Sequence, residues 1–102
     1  MTRSICERAI IAHFKIRIEN FGGEMRKVQW VGRKNAPDYF VMLPEEPILD
    51  GGLPGVYFFV EFKAPGEKPT PAQLREHERM RRCGVRVEVV STFEEADAVD
   101  LG

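Results

Sequence analysis

Cysteine is scarce in this chain, and the shortage closes several classes of function. Cys6 and Cys83 are the two present among 102 residues. Two are too few for a disulfide framework and too far apart in sequence for a CxxC redox or zinc unit, so a reduced, intracellular protein is expected. Long apolar runs are missing as well. Stretches such as Val56 to Val60 span only a few residues, and Met1 to Glu7 carries no apolar signal core, which speaks against a membrane span or secretion. An excess of one charge is also missing: fifteen Lys and Arg meet sixteen Asp and Glu for a formal net charge of −1. A highly basic coat protein and an acidic disordered tail are excluded, and any polyanionic partner must be met by local clusters.

What is present suits one compact domain over residues 1–102, with 43% hydrophobic and 30% charged positions. A chain of this length buries roughly 60 to 70% of its unfolded surface, enough for one core without staples. Pro and Gly are absent from Arg3 to Phe21, and Gly22-Gly23 follow, which predicts a helix with a glycine stop. At about 100° per residue, Ile10, Ile11, Phe14, Ile18 and Phe21 form one stripe, with Glu7 in its middle; Ile5, Ala9, Ala12 and Ile16 form a second. A helix apolar on two sides is expected either between the core and another surface or partly under a second subunit.

Two aromatic and β-branched runs, Arg26 to Val31 and Asp38 to Leu43, read as strands around a turn at Gly32 to Pro37. Pro44 to Gly55 is rich in Pro and Gly and reads as the loop of a wide hairpin. Val56 to Lys63 is nearly continuous in apolar residues, as in a central strand covered on both faces. Thr70-Pro71 announces a helix that Cys83-Gly84 ends. Val85 to Val90 alternates like a strand, and Ser91-Thr92 caps a short acidic helix through Ala96. The order α-β-β-β-α-β-α implies a small mixed α/β sheet flanked by helices.

Charges interrupt this frame at a few places. Glu61 and Lys63 sit two apart on the third strand and project from one face, where something must compensate them. A divalent cation shared by Asp38 and Glu61, with Lys63 beside it, would do so, because hard ions take one or two carboxylates and keep several waters. A strand-end salt bridge would also suffice. Glu7 within an apolar stripe needs a cation, unless it leans into solvent at the helix start. Gln73 fits a capping box with Thr70, a purely structural role, and alternatively lies beside Lys63. Arg26, Lys27, Arg33 and Lys34 flank the turn before Asp38, and Arg75, Arg79 and Arg82 share one helix face; phosphates are the natural partner of both sets. His13 and His77 lack ligand spacing and read as surface or boundary residues. Trp30 and Tyr57 could stack on a base, but core or interface packing is the better explanation for both.

Glu7, Pro37-Asp38, Glu61-Phe62-Lys63 and Gln73, in this order, resemble the PD-(D/E)xK nuclease superfamily with its restriction-endonuclease-like core. More narrowly, Gly32 to Asp38, Glu61 to Gly66, and Thr70-Pro71-Ala72-Gln73 with Gly84-Val85 at the helix end resemble a stand-alone VRR-NUC domain over nearly the whole chain. Asn35 stands where that family often has Gly before Ala-Pro-Asp; Asn also tolerates positive φ, so the turn is expected to be kept.

The resemblance implies that Asp38, Glu61 and the Phe62 backbone carbonyl hold Mg²⁺ or Mn²⁺, with Glu7 a ligand directly or through water. Lys63 would orient or help deprotonate the attacking water, and Gln73 would support Lys63 or the phosphate. The implied reaction is phosphodiester hydrolysis by water. It further implies an endonuclease acting on branched DNA such as four-way junctions or flaps, a homodimer as in the similar Holliday junction resolvases, and a bacterial or phage-infected cytoplasm. The second stripe of the first helix and the Pro44 to Gly55 loop are the candidate interfaces. Two other readings stay open: a non-catalytic DNA-binding or assembly module, and a sequence-specific restriction-type nuclease.

Overall fold

A computed structural model of the chain describes residues 6–45 and 55–102. The elements follow the expected order: α1 (Glu7–Asn20), β1 (Glu24–Lys27), β2 (Tyr39–Leu43), β3 (Val56–Phe62), α2 (Pro71–Arg82), β4 (Val87–Val90) and α3 (Phe93–Ala98). They form one sheet in the order β1-β2-β3-β4. The first three strands pair antiparallel, and β4 lies parallel to β3. A parallel neighbour requires a crossover, and α2 supplies it.

Alternation along β2 and β3 sorts the side chains onto two faces. One face carries Val41, Leu43, Phe58, Val60 and Phe62, which form the core with Ile10, Phe14 and Ile18 of α1, Val90 of β4, and Ala96, Val99 and Leu101 at the C-terminus. Each fully buried side chain of this size contributes about 1.5–3 kcal/mol of transfer free energy. Arg17 ties α3 down from α1, its Nη1 donating to the carbonyls of Ala96 (2.8 Å) and Val99 (2.9 Å). His13 sits at this boundary, its Nε2 2.8 Å from Asp97 Oδ1. No residue of α2 belongs to this core; α2 covers the opposite face, where its buried residues are Glu76 and His77.

Several boundaries differ from expectation for local reasons. The chain enters β1 at Glu24, earlier than Arg26, because Gly23 lets it turn tightly off α1: a Cβ there would come within 2.5 Å of the Met42 carbonyl oxygen. Segment 28–31 leaves the ladder instead of extending β1, because the Trp30 indole reaches back to donate to the Pro37 carbonyl (2.8 Å) and packs 5.3 Å from Phe59. β4 begins at Val87 and not Val85, since the Val85 N–H closes the end of α2 on the Met80 carbonyl (3.0 Å).

The reading of α1 needs correction. Its core stripe is Ile10, Phe14 and Ile18, one turn inside the helix start. Glu7, in line with the stripe but at the first helical residue, is exposed, which fits the alternative that it leans into solvent, and Phe21 is exposed as the C-cap. On the second stripe Ile16 is 60% exposed. Ile5 and residues 46–54 of the expected loop lie outside the described residues.

Candidate active site

The register of the hairpin builds the site. Tyr39 pairs with Val60, so one step further along the antiparallel ladder Asp38 faces Glu61 across the strands, on the same side of the sheet. Neighbours fix both backbones: the Val28 N–H donates to the Asp38 carbonyl (2.6 Å), and the Lys63 N–H donates to the Val90 carbonyl (3.0 Å). Asn35 adopts φ 68°, so the turn that delivers Pro37 and Asp38 uses the left-handed backbone expected of it.

Glu61 is 6% exposed. Burial pushes its carboxyl up to about 7; Lys63 counteracts this, while Asp38 and Glu7 repel its charge and add to it. Three expected site residues, Lys63, Asp38 and Glu7, therefore converge electrostatically on Glu61, Glu7 arriving from the start of α1. Gln73 is engaged in the capping box, its Oε1 accepting from the Thr70 N–H (2.9 Å) while its own N–H donates to Thr70 Oγ1 (3.1 Å). Among the described residues no three His, Cys, Asp or Glu side chains close into a metal cage.

The inner face of α2 was misjudged in the sequence. His77, expected at the surface or its boundary, is fully buried, with Nε2 3.4 Å from Glu61 Oε1 and Nδ1 without a partner. Burial holds its imidazole below the ordinary value; Arg81 and Lys63 act in the same direction, and Glu76 opposes them. The missed signal is positional: Gln73, Glu76, His77 and Met80 fall at i, i+3, i+4 and i+7, the spacing of a buried face occupied here by polar residues.

Glu76 organises the cations beside the site. Its carboxylate accepts two bonds from Arg33 (2.8 and 2.6 Å) and two from Arg79 (2.9 and 2.7 Å). Both arginine side chains stay about half exposed, at 50% and 48%. Arg33 and Arg79, read as phosphate-binding residues of separate clusters, are thus brought together. Arg26 pairs with Glu24 (3.2 Å) at the surface, and the Lys27 ammonium lies 5.9 Å from the Tyr39 ring. Lys34, Arg75 and Arg82 are exposed, as is Tyr57, at 71%.

The Arg33 bond, more than any other influence, holds the Glu76 carboxyl down at about 2, against an ordinary 4.5. A depressed carboxylate stabilises the fold above its unfolded value and loses that contribution as pH falls through its folded value. Thermal melts of Glu76→Gln and the parent are therefore expected to differ most above about pH 4.5 and to converge toward pH 2. A gap in melting temperature independent of pH would contradict the pairing.

Comparison with known proteins gives concordant matches. The family model for the VRR-NUC domain matches residues 7–94. Protein p44 of Acyrthosiphon pisum secondary endosymbiont phage 1, provisionally named a nuclease, is 41% identical over 90 residues, covering 88% of this chain and 87% of its own length. A solved structure described as a VRR-NUC domain is 42% identical, with a TM-score of 0.75 and 89% of each chain covered.

Proposed function

The chain belongs to the VRR-NUC domain family of nucleases, and from this premise we propose that it is a Mg²⁺- or Mn²⁺-dependent DNA endonuclease selective for branched DNA. One observation carries the metal dependence: Glu61 is nearly buried, its carboxyl is raised to about 7, and Asp38 and Glu7 press on it from nearby. A carboxylate buried beside two others, with one lysine to offset them, is short of positive charge, and a hard divalent cation satisfies it. Asp38, Glu61 and the Phe62 carbonyl would hold the ion, and Glu7 would join through water. Two carboxylates and a carbonyl suffice because such ions retain several waters. When bound, the cation polarises the scissile phosphate and stabilises the leaving oxygen.

The other residues act around that centre. Lys63, on the same face as Glu61, orients the attacking water and offsets charge gathering on the phosphate oxygens. His77 supports Glu61 from behind as a neutral donor. Arg33 and Arg79 steer phosphates, along with the exposed Lys34, Arg75 and Arg82. Gln73 caps α2 and so fixes the helix that carries Glu76 and His77.

The test is cleavage of linear, flap and four-way DNA under titration with Mg²⁺ or Mn²⁺. Cutting that requires the metal and favours branched substrates supports the reading. Binding without cleavage would assign a DNA-binding module, and cutting confined to one sequence would assign a restriction-type nuclease.

The same proposal includes a homodimer, which would present two sites to a two-fold junction. Ile16, on the second stripe of α1, is 60% exposed, and that stripe is the surface a second copy would cover. Sedimentation is expected to show a dimer at micromolar concentration. A monomer that still makes paired nicks in a four-way junction would remove this part of the proposal.

A further inference from the structure

Next to Asp38 the segment that leaves β1 arches over a hollow of about 490 Å³, walled by Lys27, Gln29, Trp30, Arg33, Asn35 and Asp38. Its volume lies within the range of small-molecule sites. Its chemistry is mixed in a specific way. Arg33 supplies a cation, Trp30 a large aromatic ring, and Gln29 and Asn35 amides that can both donate and accept.

The two most important walls are held in advance. Trp30 is fixed by its bond to the Pro37 carbonyl (2.8 Å) and by packing on Phe59 at 5.3 Å. Arg33 sits on a loop, yet its guanidinium is pinned by two bonds to Glu76 (2.8 and 2.6 Å) and the side chain remains half exposed. A ring and a cation whose positions are already set lose little entropy when a ligand arrives.

From this arrangement we infer that the hollow seats one unpaired nucleotide of the DNA substrate, its phosphate on Arg33 and its base against Trp30. This rests on the nuclease reading for its location, because Asp38 forms a wall of the hollow and also faces Glu61. A bare phosphate would leave the ring and the amides unused. A base within a duplex has both faces covered by its neighbours, so only a nucleotide out of the stack can use Trp30. The hollow therefore supplies a physical origin for branch preference: junctions and flaps offer such nucleotides at low unstacking cost, and an uninterrupted duplex does not.

Trp30 is the sole tryptophan of the chain, so its fluorescence reports on the hollow alone. The full protein, kept metal-free with chelator, is titrated with deoxyadenosine 5′-monophosphate and separately with deoxyribose 5-phosphate. Saturable quenching by the nucleotide is expected, with little from the sugar phosphate. Arg33→Ala should weaken it at least about fivefold, as loss of a charged hydrogen-bond partner does, and Arg33→Lys, which keeps the charge, should weaken it less. Absence of saturation at millimolar nucleotide, equal quenching by the sugar phosphate, or unchanged affinity in Arg33→Ala would overturn the assignment. Cleavage assayed in parallel separates the two readings. A protein that cuts branched DNA without nucleotide quenching loses the hollow alone, and one that quenches without cutting keeps the hollow and loses the nuclease.

Discussion

Glu61→Gln is expected to lower the cleavage rate at least about a thousandfold while leaving the metal-free protein more stable than the parent at pH 8. The two effects share one cause. In the parent the buried carboxyl has its proton affinity raised to about 7, against 4.5 unfolded. A carboxyl raised on folding costs nothing below its unfolded value, and the full cost is present once pH passes the folded one. At pH 8 without metal the fold therefore carries an ionised, poorly solvated group, a burden of about 1–2 kcal/mol after discounting for partial solvation. Glutamine keeps the shape and removes the charge. Asp38→Asn should lose cleavage to a similar extent with little gain in stability, because Asp38 is exposed. Both variants should still bind DNA. Wild-type turnover by either variant with saturating Mg²⁺ would remove that residue from the metal site; a Glu61→Gln melting temperature below the parent's at pH 8 would show that the carboxylate is compensated in some other way.

Lys63→Ala should fail in a different manner. Its ammonium acts on water and phosphate and not on the cation, so turnover is expected to fall by about a hundredfold or more while metal affinity holds or rises. Retained affinity follows from the local electrostatics: Lys63 is the group that most lowers the proton affinity of Glu61, and removing a neighbouring positive charge favours binding of another. Calorimetry of Mg²⁺ binding beside single-turnover cleavage separates the two quantities. Lost metal binding with unchanged cleavage at saturating metal would contradict the role.

Which parts of the site were readable from the chain alone follows from how local each constraint is. Glu61 and Lys63 stood out because they break an apolar strand, and Asp38 because a Pro delivers it at a strand start; the hairpin register then sets Asp38 against Glu61. Glu7 lies on α1 as expected; its helical angle puts it in line with the core stripe, and only its place at the helix start decides that it is exposed. His77 and Glu76 were not readable as buried. Their partners are remote, Glu61 at sixteen residues and Arg33 at forty-three, and a polar inner face on α2 defeats any search for apolar periodicity. The early end of β1 has the same origin, since the Trp30 contact that pulls segment 28–31 off the ladder depends on Pro37 and on Phe59 of a separate strand.

The β2–β3 hairpin has two ends with opposite duties. Asp38 and Glu61 face each other at one, and Leu43 pairs with Val56 at the other, about 17 Å away along the strands. The connection from residue 45 to residue 55 leaves and re-enters at that second end. Lengthening a connection costs little closure entropy, and here it displaces no chemistry-bearing group. A change in the length of that connection is therefore separated from the Asp38–Glu61 rim by the whole length of the hairpin, whose paired strands hold that rim in place.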